Sequence, residues 1–353
     1  MKILHTADIH LREFGDSHWK TLEKLIELGK REGIHLLAIS GDLFDRGVDA
    51  EKLRPKIRNL FSHNGFRIAI IPGNHDKDSF RAGLYFGEDT VIFNDPFKPF
   101  ETEEARIIGL PFEPIEGRDI LARLAMLKEV CSGDKKNILL CHGELLDSFF
   151  SRMDFGEEGT DRYMPFWLSY FSDLNVHYVL AGHFHTSFDV RVLENGGFFI
   201  YPGSPVSITK KETGQRKVNL FELGQKPQEF VIDSPHYEEI TVSLDPFEKK
   251  NPLETVKALL DGLHPEAKAI LTLRGFVDGK ALAMSEVELQ KRIIDIVGEK
   301  GEMAGFECSD IQEILSDDLF KDFKERLEKS EMKEERRRVL TEIAIRAMIE
   351  TRS

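Results

Sequence analysis

Cysteine is scarce. Cys131, Cys141 and Cys308 are the only three in 353 residues, and their spacing suits neither a disulfide framework nor a zinc site. They read as buried, inert thiols. Long apolar runs are missing as well: no stretch approaches the ~20 residues that a helix needs to cross a bilayer, so no membrane role is expected. The first expected strand begins at Lys2, which leaves no room for a signal peptide and points to a cytoplasmic setting. Positive charge is in deficit, with 48 Lys and Arg against 62 Asp and Glu and a formal net charge of −14. That balance excludes a nucleic-acid binder acting through one large basic surface. Half of the deficit, however, lies between Ser285 and Asp318, where ten acidic residues face only Lys291, Arg292 and Lys300. The remainder of the chain is free to meet a polyanion, and bound metal ions would add positive charge that the count omits. Internal repeats and low-complexity tracts are absent too.

What is present begins with ordinary globular composition, 41% hydrophobic and 31% charged, at a length that suits one large domain and one or two smaller ones. Five apolar runs end in the same way, each cut by a small residue and followed at once by a polar one. They are Ile3–His10, Leu36–Asp45, Ile68–Asp76, Ile138–Gly143 and Val179–His185. Buried parallel strands deliver side chains to the carboxyl edge of a sheet in this manner, and open α/β folds place their ligands there.

Between the runs, helical periodicity marks 18–31, 51–63 and 119–130, so the opening β-α-β-α-β order predicts parallel neighbours with right-handed crossovers. Phe188–Leu193, Phe198–Tyr201, Val218–Leu223 and Glu229–Ile232 follow at short spacing, with Asn195-Gly196-Gly197 as a hairpin turn, and are expected to form an antiparallel second sheet. The fold class predicted is α/β, a four-layer α/β/β/α sandwich over residues 1–244. A linker at 245–252 opens a small α/β cap over 245–310, with helices at 253–263 and 285–297 and strands at 268–274 and 304–308. Two amphipathic helices fill 311–353, the second apolar on more than one side, as suits a surface that packs on a partner. The aromatic stretch Leu145–Phe171 and a helix near Phe80–Phe86 are candidate dimer or substrate surfaces.

Chemistry concentrates at the five strand ends. Asp8, His10, Asp42, Asn74, His142, His183 and His185 offer hard carboxylate oxygens, an amide carbonyl and neutral imidazoles, a donor set for two divalent ions such as Mn²⁺, with Zn²⁺ or Fe²⁺ as alternatives. Thiolates are missing from it, which speaks against structural zinc. Alternation along extended chain is expected to turn both members of Asp8-x-His10 and of His183-x-His185 to one side. Asp42 would bridge, one oxygen to each of two ions about 3.5–4 Å apart. His75 would protonate or stabilise the leaving oxygen, and Asp76 would hold its tautomer.

Asp-x-His, Gly-Asp-x-x-Asp, Gly-Asn-His-Asp, a lone His after a strand, and Gly-His-x-His together resemble the signature of the calcineurin-like metallophosphoesterases. Within them the chain most resembles the SbcD nucleases, on Ile3–Leu11, Gly41–Asp45, the turn Tyr201-Pro202-Gly203-Ser204-Pro205, the cap and the tail. The resemblance implies one Mn²⁺ held by Asp8, His10, Asp42 and His185, and another by Asp42, Asn74, His142 and His183, with His75 as catalytic histidine. It further implies a nucleoid-associated homodimer that cuts DNA, as an exonuclease on double-stranded ends and an endonuclease on single strands or hairpins. An SbcC-type coiled-coil P-loop ATPase would bind the C-terminal helices. Three positions depart from the pattern. Arg12 stands where relatives often have glycine, and Arg46 gives Gly-Asp-Leu-Phe-Asp-Arg-Gly, a stretch more like protein phosphatases; both are candidate substrate contacts. Asp45 stands where archaeal and eukaryotic relatives often carry a histidine. Arg46 and the acidic charge motivate an alternative, a phosphodiesterase or phosphatase for small molecules or phosphoproteins. A non-catalytic clamp for the ATPase is a third reading, opposed by the completeness of the ligand set.

Overall fold

The structure, a computed structural model, describes residues 1–81, 83–131, 133–147, 163–248 and 250–352. The chain divides into two compact units, Met1–Tyr237 and Glu238–Ser353.

The first unit opens with β1 (Lys2–Thr6), α1 (Ser17–Glu32), β2 (Leu36–Ser40), α2 (Gly47–Leu60), β3 (Arg67–Ile71) and β4 (Thr90–Ile92). It continues with β5 (Phe100–Glu101), β6 (Ala105–Leu110), α3 (Arg118–Val130), β7 (Lys136–His142) and β8 (Tyr178–Gly182). β9 (Asp189–Val192), β10 (Phe198–Tyr201), β11 (Lys217–Glu222) and β12 (Glu229–Val231) follow. One six-stranded sheet runs in the order β12-β11-β1-β2-β3-β4 and the other in the order β5-β6-β7-β8-β10-β9.

Strand periodicity builds the layers. Leu36 and Ala38 of β2 point between the sheets, where they meet Ile71, Ile107, Leu140 and Leu180. Leu37 and Ile39, on the opposite face, pack against Leu22, Leu25 and Ile26 of α1. On the far side of the second sheet, Leu139, Cys141 and Val179 cover Ile120, Leu124 and Leu127 of α3. The result is the four-layer α/β/β/α sandwich expected from the sequence. All three cysteines are buried. α1 is delimited as its sequence suggests: the Asp16 carboxylate accepts from the Trp19 amide at 2.8 Å, and Gly33 ends the helix in left-handed backbone at φ 59°.

Two expectations need correction. The strands after residue 188 do not make a second sheet by themselves. β9 and β10 form the hairpin about Asn195–Gly197 at the edge of the second sheet, whereas β11 and β12 cross back and pair antiparallel beside β1. The second sheet is instead built mainly from parallel β6, β7, β8 and β10. Short alternating strands encode which face is buried but not which sheet edge receives them. Among the described residues of Phe80–Phe86 the backbone is turn and irregular, not helix. Phe80 and Phe86 are buried against Phe44, with ring centroids 5.8 and 6.3 Å from it. Of the aromatic stretch Leu145–Phe171, Phe149, Phe150 and Phe155 lie outside the described residues, while Leu145, Phe166 and Phe171 are core.

The second unit's sheet has the order β13-β14-β15, made of β13 (His236–Leu244), β14 (Ala267–Val277) and β15 (Gly301–Asp310). α4 (Pro252–Asp261) and α6 (Glu286–Val297) pack on it through Val256, Leu260, Leu289 and Ile293, and a short α5 (Gly279–Leu282) follows β14. Residues 245–251 run from β13 to α4 within this unit. α7 (Gln312–Ser316), α8 (Asp318–Glu328) and α9 (Glu334–Arg352) close the chain around Ile311, Ile314, Phe320 and Ile345. One side of α9 thus docks on its own unit, and Val339 and Ile343 remain exposed. Among the described residues no helix is long and apolar enough to cross a membrane.

Candidate metal centre

Parallel pairing decides where the polar strand ends meet. Thr6 lies opposite Ile39 and Ser40 opposite Ile71, so the carboxyl ends of β1, β2 and β3 share one edge. In the other sheet His142 lies opposite Gly182. The Ser40 hydroxyl donates to the carbonyl of Leu180 at 2.8 Å, joining the two edges. Asp8 and His10 therefore follow β1, Asp42 follows β2, Asn74 follows β3, His142 ends β7, and His183 and His185 follow β8.

The pairs do not face one way because of strand alternation, as expected, but because the backbone leaves the strand. Asp8, His10, Asp42 and His183 all have positive φ, at 55°, 50°, 51° and 97°. Left-handed backbone costs roughly 1–2 kcal/mol per non-glycine residue, and such strain persists only where the surroundings enforce it. The amides of Asp8 and His10 donate to the carbonyls of Gly41 and Asp42 at 3.1 and 3.0 Å, and the His183 amide donates to the Asp8 carboxylate at 3.0 and 3.1 Å. The motif glycines provide clearance. A Cβ on Gly41 would lie 2.1 Å from Nδ1 of His142, and one on Gly73 would lie 2.2 Å from Oδ1 of Asp42.

The donor atoms converge. Those of Asp8, His10 and His185 lie within 4.8 Å of one another, as do those of Asp8, Asp42 and His142. Oδ2 of Asp42 stands 3.2 Å from Nε2 of His142 and 3.8 Å from Nε2 of His10, between the two groups, while its Oδ1 accepts from the His75 amide at 2.9 Å. Oδ1 of Asn74 lies 2.8 Å from Nε2 of His142 and 3.2 Å from Nδ1 of His183. Nδ1 of His142 donates to the Ser40 carbonyl at 2.8 Å, which leaves Nε2 facing the centre. All seven residues sit in one cluster.

These residues suit divalent cations. Asp8, His10, Asp42 and His142 are almost wholly buried, yet Oδ2 of Asp42 and both ring nitrogens of His10 make no well-directed hydrogen bond and meet only the other polar side chains of the cluster. Buried polar atoms left in that condition are costly unless something else satisfies them. The histidine rings approach one another edge-on, His10 to His185 at 5.1 Å and His142 to His183 at 5.3 Å. Burial alone would raise the Asp42 carboxyl, but His142 and His10 outweigh it and hold it well below the usual range. Burial would likewise lower the two outer histidines, but Asp42 beside His142 and Asp8 beside His185 push them up to about 9 and about 10. In the metal-free chain a cation must displace those protons.

At the rim, the His75 ring lies 4.7 Å from that of His10, and its Nδ1 is 3.1 Å from the carbonyl oxygen of Asp45. The expected Asp76–His75 pairing gives way to another arrangement. Asp76 is buried, and its two oxygens accept from the amides of Gly73 (2.8 Å) and Phe44 (3.1 Å), tying the β3 turn to the β2 turn. Burial and the charge of Asp42 push its carboxyl up to about 7. The carbonyl of Asp45 is what faces the His75 ring. The Asp45 carboxylate stands 3.3 Å from Nδ1 of His10 and 3.4 Å from Nε of Arg12, and its donor atom, His10 and His75 form a third tight group. Arg46 forks onto Asp49 at 2.9 and 3.2 Å and reaches Asp45 only at 4.0 Å.

Sequence reading missed two further residues, Glu212 and Arg216, and gave Ser204 no place at the site. Glu212, Ser204 and Arg216 stand behind His185, and no spacing in the chain links Glu212 or Arg216 to the histidine motif. It also missed a segregation of charge. From Lys52 to His75 there are five Lys and Arg and no Asp or Glu, and four of the five lie on α2, the helix that begins two residues after Asp45. Lys56 lies over the Phe14 ring at 4.6 Å and Arg58 over Tyr85 at 5.5 Å, and both rings are exposed.

A model of the calcineurin-like phosphoesterase family matches residues 1–187. That is more than half of the 353 residues, and the chain belongs to this family. Its activity is accordingly that of a phosphoesterase of the metallophosphoesterase type, a family that uses divalent metal ions. A search of the curated proteins gave no match. Among solved structures, TT1561 of Thermus thermophilus is similar at 16% identity over 65% of this chain and 98% of that one, with a TM-score of 0.44. A dimetal phosphatase from Danio rerio is similar at 12% identity over 62% and 91%, TM-score 0.40. A 5'-nucleotidase precursor from Thermus thermophilus is similar at 16% identity over 66% and 54%, TM-score 0.39.

Proposed function

We propose that this phosphoesterase is a DNA nuclease of the SbcD type, acting as an exonuclease on double-stranded ends and as an endonuclease on single strands or hairpins. The observation that carries the reading is the run of cations on α2, the helix that begins two residues after Asp45 of the rim. α2 is 14 residues long, so it extends about 21 Å, the span of roughly six phosphates of one strand. Lys52 and Lys56 lie one turn apart on one flank of buried Leu53 and Ile57, and Arg54 and Arg58 on the other. Exposed Phe14 and Tyr85 under Lys56 and Arg58 add faces on which bases stack. An enzyme for small phosphoesters has no use for such a track in a chain of net charge −14. Arg46 favours the phosphatase alternative by its sequence context, but its fork onto Asp49 supports that reading less.

Two divalent ions, Mn²⁺ in this proposal, held by Asp8, His10, Asp42 and His185 and by Asp42, Asn74, His142 and His183, would polarise the phosphate and acidify a water. Within the chain, His75 acts at the rim. Its Nδ1–H donates to the Asp45 carbonyl, and Nε2 passes a proton to the departing sugar oxygen. Asp76 keeps that histidine in place by tying its turn to the preceding one, and Arg12, braced by Asp45, lies beside the phosphate path. A homodimer and an SbcC-type ATPase partner complete the proposal. Exposed Leu319 of α8 and Val339 and Ile343 of α9 support the ATPase contact.

The test compares Mn²⁺-dependent cleavage of a DNA hairpin and of a linear duplex with turnover of a generic phosphodiester ester. Efficient cleavage of both DNAs is the expected result. Turnover of the ester with both DNAs left intact would reject the nuclease reading and favour the small-substrate one.

A further inference from the structure

Glu212 belongs to the loop that returns the chain from β10 to β11, and it is 3% exposed. Its Oε2 accepts from the Ser204 hydroxyl (3.1 Å) and the Ile208 amide (2.7 Å), and its Oε1 accepts from the Thr209 hydroxyl (3.1 Å). Oε1 also stands 3.6 Å from Nδ1 of His185, whose Nε2 is 3.5 Å from Oδ1 of Asp8. A carboxylate on the far nitrogen of a ligand histidine determines which nitrogen carries the proton, and hence which lone pair faces the ion.

Arg216, equally buried, secures the other side. Its Nε donates to the Ser204 carbonyl (3.0 Å), one Nη to the Thr186 carbonyl (3.1 Å), and the second Nη to the His185 carbonyl and to the Ser204 hydroxyl. The ring and the backbone of His185 are thus both held by this one group of residues. Burying a carboxylate and a guanidinium is costly unless each is paired and hydrogen-bonded, and apolar residues of similar volume would fill a return loop with less penalty. The Glu212 carboxylate stands 3.6 Å from the His185 ring and the Arg216 guanidinium donates to the His185 carbonyl, so both charged groups meet the ligand and not merely the loop.

We propose that Glu212 is a positioning residue of the metal centre: through Nδ1 of His185 it sets the tautomer and reach of that ligand, while Ser204 and Arg216 hold the carboxylate in register. The inference rests on the phosphoesterase centre and not on the choice of DNA as substrate, so the two fail separately.

The test is Mn²⁺ titration of the full-length, metal-free chain, with free Mn²⁺ followed by its paramagnetic resonance signal. In Glu212→Gln, one of two bound ions is expected to weaken by about ten- to a hundredfold while the other keeps its wild-type affinity. Two ions held as tightly as in the wild type would overturn the proposal. Equal weakening of both would overturn it too, since that is the mark of a loosened loop. Circular dichroism checks that the variant folds. If Glu212→Gln does not fold, Glu212→Asp retains the charge and withdraws it by one methylene; the same one-ion loss is expected, and unchanged or uniform binding rejects the idea.

Discussion

Asp42 is the residue on which the candidate centre is expected to depend most. Its Oδ2 faces His142 and His10 from a fully buried position, and its Oδ1 receives the His75 amide, so one carboxylate touches both ligand groups and the turn carrying His75. Asp42→Asn keeps the shape but removes the charge that both groups share. Its loss of phosphodiester turnover is expected to exceed that of His10→Ala, His142→Ala or His185→Ala, measured under saturating Mn²⁺; a smaller loss than any of these would deny it the central place. His75 differs in kind, because it borders the cluster and its partners are Asp45 and His10. His75→Ala is expected to bind Mn²⁺ as the wild type does while its turnover drops by about 10²–10⁴-fold, the usual range for a general acid. Normal cleavage by that variant would remove the assigned role.

Helix α2 shows how an element can carry a property that residue motifs do not. Its buried side, Leu53 and Ile57, attaches it to the first sheet, and its two flanks carry the cations Lys52, Arg54, Lys56 and Arg58. Lys52→Glu combined with Lys56→Glu is expected to raise KM for DNA and leave a small ester's turnover unchanged. The dependence of log affinity on log salt should lose about one to two units of slope. Equal effects on DNA and ester would mean that the helix serves the fold alone. The C-terminal helices divide differently. Phe320 and Ile345 anchor α8 and α9 to their own unit, whereas Leu319, Val339 and Ile343 face outward. Removal of residues after Asp317 is expected to abolish association with the proposed ATPase partner and spare Mn²⁺-dependent ester hydrolysis; retained association would relocate that contact.

For the molecule as a whole, the centre couples metal uptake to protons. His142 and His185, held up near 9 and 10 by Asp42 and Asp8, are protonated at neutral pH in the metal-free chain. Mn²⁺ binding at pH 7 should therefore release protons, seen as a dependence of the calorimetric heat on the buffer's ionisation enthalpy. The sign for stability follows. Groups raised above their usual value of 6.5 stabilise the metal-free fold fully below that pH and lose the contribution as pH rises through about 9 to 10. The unfolding midpoint of the metal-free chain is expected to fall over that window. A midpoint that rises instead, or uptake without proton release, would show that the histidines are neutral before metal binds.

The sequence by itself determined the candidate ligand types, their order along the chain and the strands that carry them, because apolar runs and polar strand ends are local signals. It determined α4, α6, α8, α9, β14 and β15 for the same reason, their periodicity lying within single helices and strands, but not β13, whose residues fall in the span expected for the first domain. The tertiary structure alone decided what depends on pairing between distant segments. β11 and β12 joined the first sheet because an open edge beside β1 was there to receive them, and no local pattern records an edge. Asp8, His10 and Asp42 converge through left-handed backbone, which their side-chain types permit but do not announce. His75 met the carbonyl of Asp45 instead of Asp76, because the Asp76 carboxylate is taken by two backbone amides brought to it by folding. Glu212 reached His185 from 27 positions away along the chain, a contact set by the return loop and not by spacing.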